Sequence, residues 1–388
     1  MSYIWKNIFL NKKLHILFLC SWLPSRVKPT SGDFVQRHAE AVATKHRVTA
    51  IHVITDENLT SNFEIFESEH NGVKIIIGYL KKFNNPVLKF FYFIKVYKKI
   101  LQKLDFYDLV HLNVTYPKGI VALYLKWFQM KPFIISEHWT DYQYPLNKHI
   151  SFLRKKITQL ITKNASFVCP VSISHQNDML SFGLKGNYYP VPNVVDTTLF
   201  YPAKNTSKKF MISHISSFTN KQKNILGILN VIKQLSLKRE DFQVRLIGNG
   251  DLSAAQKRIN DLSIPKNILA LETGKSHLEI SKILQQSNLY ISFSNYESFG
   301  IVMAEAIATA TPVISTNTGI LTELDASNFT TIIPLKDEDE LLKSIIYYLD
   351  TKKIYDTEKM HSLIKEKFSI ETICNSFSKL YYKSLNLN

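Results

Sequence analysis

Short hydrophobic runs alternate along this chain with longer segments whose apolar residues recur at helical spacing. The first run, residues 14–20 (LHILFLC), is hydrophobic without alternation, which predicts a strand covered on both faces as in a parallel sheet. A loop rich in Pro, Ser and Gly follows, then a helical run from Phe34 to Lys45 and a strand from Val48 to Ile54. Further strands are predicted at Leu109–Asn113, Phe133–Ser136 and Phe167–Val171, with helices between them. Pro190–Pro202 interrupts this rhythm, because proline blocks helix and holds the backbone extended. Alternation resumes with strands at Phe210–Ile215, Val244–Ile247, Ile268–Leu271 and Leu289–Phe293. The expected architecture is α/β, with two Rossmann-like domains, each a doubly wound parallel sheet, at residues 1–190 and 205–369, joined by a connector at 191–204.

Residues 86–104, PVLKFFYFIKVYKKILQKL, predict an amphipathic helix with Leu88, Phe91, Ile94, Tyr97 and Leu101 on one side and lysines around them. The stripe is expected to pack on the sheet, and its combination with lysines also suits an anionic membrane surface. Charge sharpens this picture. The net charge is +16, and residues 1–200 hold 25 Lys and Arg against 13 Asp and Glu, so the first half carries most of the field. An anionic partner is implied, although no nucleic-acid reading module is recognisable and none is expected to bind. A hydrophobic content of 45% over 388 residues can fill two cores, which excludes disorder. No apolar run reaches the roughly 18 residues of a membrane-spanning helix. Leu14–Leu23, behind Lys12 and Lys13, imitates a signal peptide, but the bulky Leu19 before Cys20 and the lack of a small-residue cleavage site favour a buried strand. Cys20, Cys169 and Cys374 are far apart and suit a reducing compartment. The expected location is cytoplasmic, with peripheral attachment to the inner face of a membrane.

The densest chemistry lies in Ser294–Ile314, SNYESFGIVMAEAIATATPVI. A polar turn, Ser294–Glu297, follows a strand, and a helix opens near Phe299, so the turn falls where open α/β sheets bind ligands. Amides around Gly300 and Ile301 would attract a phosphate, and Gly300 would let it come close. Helical side chains lean toward the N-terminus, so Glu305 could accept hydrogen bonds from a sugar hydroxyl beside that phosphate while Glu297 stands opposite. Taken alone, one Glu in a turn and another on a helix are also ordinary surface residues. The same openness applies elsewhere. His138 follows a predicted strand end, yet a lone His is more often structural. Gly32, Asp33 and Phe34 open a helix, where an ordinary turn capped by Asp33 is equally open. Gly248-Asn249-Gly250 by itself supports only a turn. Asp337–Glu340 invites a metal reading, but acidic residues at a helix start complement the macrodipole, and that is preferred.

Glu297 to Ile314 resembles the E-x7-E signature of the retaining glycosyltransferases of family 4, with Glu305-Ala306-Ile307-Ala308-Thr309-Ala310-Thr311-Pro312-Val313-Ile314 carrying Ala310 in place of the usual glycine. Ser31–His38 resembles the family's glycine-containing loop, Ser136–Asp141 its His-containing loop, and Pro192-Asn193-Val194-Val195-Asp196 its interdomain segment. Thr318–Glu323 resembles its Gly-Gly-x-x-Glu turn, with Thr318 for the first glycine. The resemblance implies a GT-B fold: two domains facing a cleft, donor bound by the C-terminal domain, acceptor by the N-terminal one, and helix 370–388 crossing back to complete the latter. It implies retaining transfer of a sugar from a UDP- or GDP-sugar to a glycan or lipid-linked acceptor, with neither metal nor cofactor, in surface polysaccharide biosynthesis such as capsule or O-chain. Glu297, His138 and Lys223 take the catalytic positions in it. Glu305, Ser298, Phe299, Gly300, Ile301, Gly248, Gly250, Gly274, Ser217 and Lys221 take those of donor binding, and Gly32, Asp33 and Phe34 face donor phosphate and acceptor. Ser217 stands where an arginine is common, leaving Lys223 and Lys221 as the cations of that loop. Two other classes compete: a non-catalytic binder of a sugar nucleotide or glycan, against which the intact carboxylate pair argues, and a basic nucleic-acid-binding protein.

Overall fold

A computed structural model describes residues 13–387. Residues 1–12 and 388, which the expected first domain and its C-terminal helix include, and with them Lys12 of the leader-like run, lie outside the described residues. The chain divides into two compact units, one ending at Val194 and rejoined by the segment from Ile370, the other Val195–Ser369.

The first unit contains β1 (His15–Cys20), β2 (Arg47–Asp56), β3 (Phe63–His70), β4 (Val73–Lys81), β5 (Leu109–Asn113), β6 (Phe133–Glu137) and β7 (Phe167–Pro170). They form one sheet in the order β3-β4-β2-β1-β5-β6-β7. Every residue of β1 is buried, because both of its faces meet core: Ile16 and Phe18 on one side, Leu17 and Leu19 on the other. The strand order reverses between β1 and β5, which opens a crevice beyond their carboxyl ends. Only β3 runs antiparallel, joined to β4 through Asn71 and Gly72 at φ 46° and 76°. Two successive positive φ angles make the primed turn that matches strand twist, and Glu64, Glu67 and Glu69 keep this edge strand from pairing further.

On one face, the helix Ile370–Ser384 lies beside the helix Asp33–Ala43 and buries Ile373, Phe377, Leu380 and Tyr381 completely. The Tyr381 hydroxyl meets His111 Nδ1 at 2.7 Å, and Ser378 Oγ meets His46 Nε2 at 2.8 Å. On the other face, the helix Pro86–Gln102 departs from the stripe expected of it. Val96, Tyr97 and Ile100 are buried, whereas Leu88, Phe91 and Ile94 remain 43%, 57% and 44% exposed. Gly78 of β4 explains the rotation: a Cβ there would stand 2.5 Å from Val96 Cγ1, so the missing side chain lets Val96 seat against the sheet.

The second unit contains β8 (Phe210–Ser217), β9 (Phe242–Asn249), β10 (Leu269–Thr273), β11 (Leu289–Ser292), β12 (Val313–Thr316) and β13 (Thr330–Ile333). Their order is β10-β9-β8-β11-β12-β13, parallel throughout, with the reversal between β8 and β11. An apolar cluster that includes Ile212, Val244, Ile291 and Ile314 receives the helices Ile225–Ser236 and Glu338–Thr351. Asp337 caps the latter helix, accepting from Glu340 N at 2.9 Å, so the acidic run serves as a helix start. Among the described residues no helix is long and apolar enough to cross a membrane.

Candidate active site

The loops leaving β8 and β11, at the reversal point of the second sheet, converge. After β8 the chain makes a short helix, Asn220–Lys223. After β11 it makes an irregular turn in which Asn295 N donates to Gln222 O at 2.7 Å and the Asn295 amide to Lys221 O at 3.1 Å. These bonds tie the two loops together and deliver Lys223 Nζ to 2.5 Å from Glu297 Oε1. Ser294 Oγ donates to the same oxygen at 2.8 Å, and Thr316 Oγ1 anchors the turn by donating to Ser294 O at 2.5 Å. The Lys223 and Glu297 side chains are only 18% and 10% exposed, so the pair is largely desolvated and held by charge-assisted hydrogen bonding.

Two neighbours sense these charges. His214 has Nδ1 at 2.7 Å from Ile291 O, which fixes that nitrogen as the donor, and Nε2 at 2.8 Å from Ser216 Oγ, which donates to it. Burial pushes its pKa down to about 4, and Lys223 acts in the same direction, so the ring beside the lysine stays neutral. Burial also raises the Tyr290 phenol well above its usual value, and Glu297 and Glu305 both add to the effect. The two carboxylates therefore act on one buried hydroxyl.

Gly300, at φ 79°, begins the helix Ile301–Ala308, whose start has no side-chain cap. The helix is apolar all round and buried from Met303 to Ala308, and Glu305, 2% exposed, is its one acidic residue. A Cβ on Gly300 would collide with the Met303 methyl at 2.0 Å. Gly319, at φ 67°, allows Ile320 N to donate to Phe299 O at 2.8 Å; a Cβ there would lie 2.5 Å from that carbonyl oxygen and 3.1 Å from Glu297 Cβ. Ser298 is partly buried and Phe299 fully so, its ring edge-on to Phe368 at 5.4 Å.

The remaining residues singled out in this unit line the same edge of the sheet. Ser217 and Lys221 are exposed on the β8 loop. Gly248 lies beneath the Phe218 ring, which a Cβ would meet at 2.4 Å, so close packing accounts for it. Gly250 and Gly274, at φ 101° and 69°, face open space and are required by backbone conformation alone.

His138, Gly32, Asp33 and Phe34 belong to the first unit. Gly32, at φ 77°, caps its helix by itself, and a Cβ would strike the Trp22 backbone at 2.4 Å. Asp33 is the first helical residue and pairs with Arg37 at 3.1 Å, so the alternative of Asp33 as the cap is corrected. The Phe34 and His138 rings lie 4.5 Å apart. His138 follows β6 in a turn organised by buried Glu137, which accepts from Thr115 N (2.9 Å), Thr115 Oγ1 (2.6 Å), His138 N (2.9 Å) and Trp139 N (3.0 Å). Burial, followed by the neighbouring His38, His175 and His111, holds the His138 pKa well below the usual range, and the nearby Asn193 amide opposes this only weakly. Neither ring nitrogen has a hydrogen bond of normal geometry.

Ser294, Thr316 and His214 were not expected in the site, whereas Gly319 lies in the turn that the resemblance pointed to. Ser294 opens the polar turn that carries Glu297, and its sequence gives no sign of the bond to that carboxylate; His214 reads as one polar residue within a strand. Among the described residues no three His, Cys, Asp or Glu side chains gather as a metal ligand set.

Residues 198–368 match the model of "Glycosyl transferases group 1", and residues 33–199 that of "Glycosyltransferase Family 4". An uncharacterised glycosyltransferase of Methanocaldococcus jannaschii is 24% identical over 366 residues, covering 92% of this chain and 97% of its own. Sucrose-phosphate synthase of Thermosynechococcus elongatus has a similar structure, with a TM-score of 0.76 at 18% identity over 96% of this chain and 99% of that one. HepE of Anabaena, solved with UDP and glucose, gives 0.74 at 16% identity over 94% and 98%.

Proposed function

This chain belongs to the group 1 glycosyltransferases, which move a sugar from a nucleotide donor, and from that premise we propose retaining transfer from a UDP- or GDP-sugar to a glycan or lipid-linked acceptor. Its two Rossmann-like units make the GT-B fold. The observation that carries the reading is the contact of Lys223 with Glu297 at the reversal point of the second sheet. As the bond between the anomeric carbon and the diphosphate oxygen breaks, negative charge grows on the diphosphate and positive charge on the sugar. Lys223 and the amides at Gly300 and Ile301 stabilise the first, and Glu297 the second. Glu305 holds the donor ribose. Phe34 and neutral His138 serve the sugar and acceptor side.

The reaction proceeds without a metal, and rates measured with and without EDTA should agree. A role in surface polysaccharide assembly at the inner face of a membrane fits the basic first unit. UDP, which HepE binds, is the first donor nucleotide to try. Nucleotide release should be followed with a panel of UDP- and GDP-sugars, and product configuration read by NMR. Glu297→Gln should lower turnover at least a hundredfold. Equal turnover by wild type and variant would refute the assignment, and an inverted product would refute retention.

A further inference from the structure

The first unit holds a cavity of about 1140 Å³ at the carboxyl ends of β1, β2 and β5, where its sheet order reverses. The volume exceeds the roughly 300–1,000 Å³ usual for a ligand site and is more than a single sugar needs. Phe93, Tyr97 and Leu101, from the helix Pro86–Gln102, make an apolar wall, and Phe90, Ile94 and Tyr124 stand on it while 60%, 44% and 50% exposed.

The charge around this cavity is one-sided. Lys28, Lys89, Lys98 and Lys118 line it, no Asp or Glu does, and none of the four makes an ion pair among the described residues. Lys118 is 5% exposed, donates to Val53 O at 2.9 Å, and lies over the Phe93 and Tyr97 rings at 4.5 and 5.3 Å. A buried ammonium without an anion is unfavourable unless a ligand supplies one. The turn that carries it is strained: Val114, β-branched, sits at φ 67°, a conformation that persists where surrounding structure enforces it and that clusters at binding sites.

Apolar walls with unmatched lysines match one chemistry: a hydrocarbon chain bearing a phosphate. We propose that this cavity is the acceptor subsite for a lipid-linked phosphate or diphosphate, its chain against Phe90, Phe93 and Ile94 and its phosphate on Lys118 and Lys89. The assignment to an acceptor rests on the transferase reading, whereas the binding chemistry can be tested apart from it.

Dodecyl phosphate below its micelle concentration is a probe, titrated calorimetrically into the full chain beside dodecyl maltoside, inorganic phosphate and phosphatidylglycerol vesicles. One dodecyl phosphate should bind per chain, at least tenfold tighter than the maltoside or inorganic phosphate. Lys118→Met and, as a second variant at an exposed position, Ile94→Asp should each weaken it at least tenfold while leaving UDP binding within the wild-type range, and neither should unfold at a lower temperature than wild type. Affinities within twofold of wild type in both variants, maltoside binding as tight as dodecyl phosphate, or binding to vesicles without saturable dodecyl phosphate binding would each overturn the proposal. Amphiphile binding without any nucleotide binding would instead fail the transferase reading and leave the cavity's chemistry standing; nucleotide binding without amphiphile binding fails the cavity alone.

Discussion

Replacing Lys118 by Met removes a buried charge while keeping a side chain of similar length between Phe93 and Tyr97. Burial, followed by the nearby Lys89, pushes the Lys118 ammonium down from 10.5 to about 7, and Cys20 opposes the shift. At about 1.4 kcal/mol per pH unit, holding that charge costs the native state about 5 kcal/mol below pH 7. Above pH 7 the native lysine sheds its proton while the unfolded chain keeps one until about 10.5, so the unfolded state binds more protons and wild-type stability rises with pH across this window. The penalty falls to about 4 kcal/mol at pH 7 and about 2 kcal/mol at pH 9. Losing the hydrogen bond to Val53 O takes back about 1 kcal/mol at every pH. Lys118→Met should therefore be more stable than wild type by about 3 kcal/mol at pH 7, with the advantage shrinking by about 2 kcal/mol at pH 9. Urea unfolding followed by tryptophan fluorescence reads this directly, because Trp22, Trp127 and Trp139 lie in the first unit and the second unit, Val195–Ser369, has no tryptophan. Parallel stability curves for the two proteins between pH 7 and 9 would refute the reasoning.

Acid should weaken the first unit for a related reason. Burial pushes His38 and His52 down to about 4 and His175 to about 3, so these rings stay neutral when folded but take up protons below about 6.5 when unfolded. Each should lose about 1.4 kcal/mol of stability by pH 5.5, about 4 kcal/mol together, and a urea midpoint unchanged between pH 7 and 5.5 would contradict this. In the second unit, Gly319→Ala should be the more damaging of two glycine substitutions. Gly250→Ala meets open space and should cost only the roughly 1–2 kcal/mol of a left-handed backbone, whereas Gly319→Ala also drives a Cβ into Phe299 O and displaces the turn carrying Glu297. Thermal unfolding and donor turnover of the two variants test this, and equal effects would remove Gly319 from the architecture of the site.

The strand, turn and helix around Glu297 were legible because local signals agree there: a buried apolar run, a polar turn, a glycine, then a helix-forming segment. The β3–β4 hairpin is marked in the sequence only by Asn71-Gly72, because the polar, half-exposed β3 lacks the buried apolar run that identifies the parallel strands. Periodicity correctly found the helix Pro86–Gln102 and the packed side of Tyr97 and Leu101 but extended the packed stripe to Leu88, Phe91 and Ile94, because spacing cannot distinguish a residue packed on the sheet from one left exposed or lining a cavity. Lys118 is one lysine among many in the sequence; its burial arises from contacts with β2 and a distant helix that no local pattern encodes. Gly319 was assigned through its resemblance, and the close approach that requires it appears only when two separated turns meet.

The first unit is discontinuous in the chain, and this bears on its birth at the ribosome. Val195–Ser369 emerges with all of its own strands and can condense as soon as it is free, whereas the earlier unit waits for the helix Ile370–Ser384 to cover its sheet. Until Phe377 and Tyr381 arrive, an apolar floor beneath Ile16 and Phe18 faces water. Synthesis that stops before residue 370 would leave the later half sound and the earlier half sticky, so cellular quality control would recognise truncation at the end of the message through a defect near its beginning.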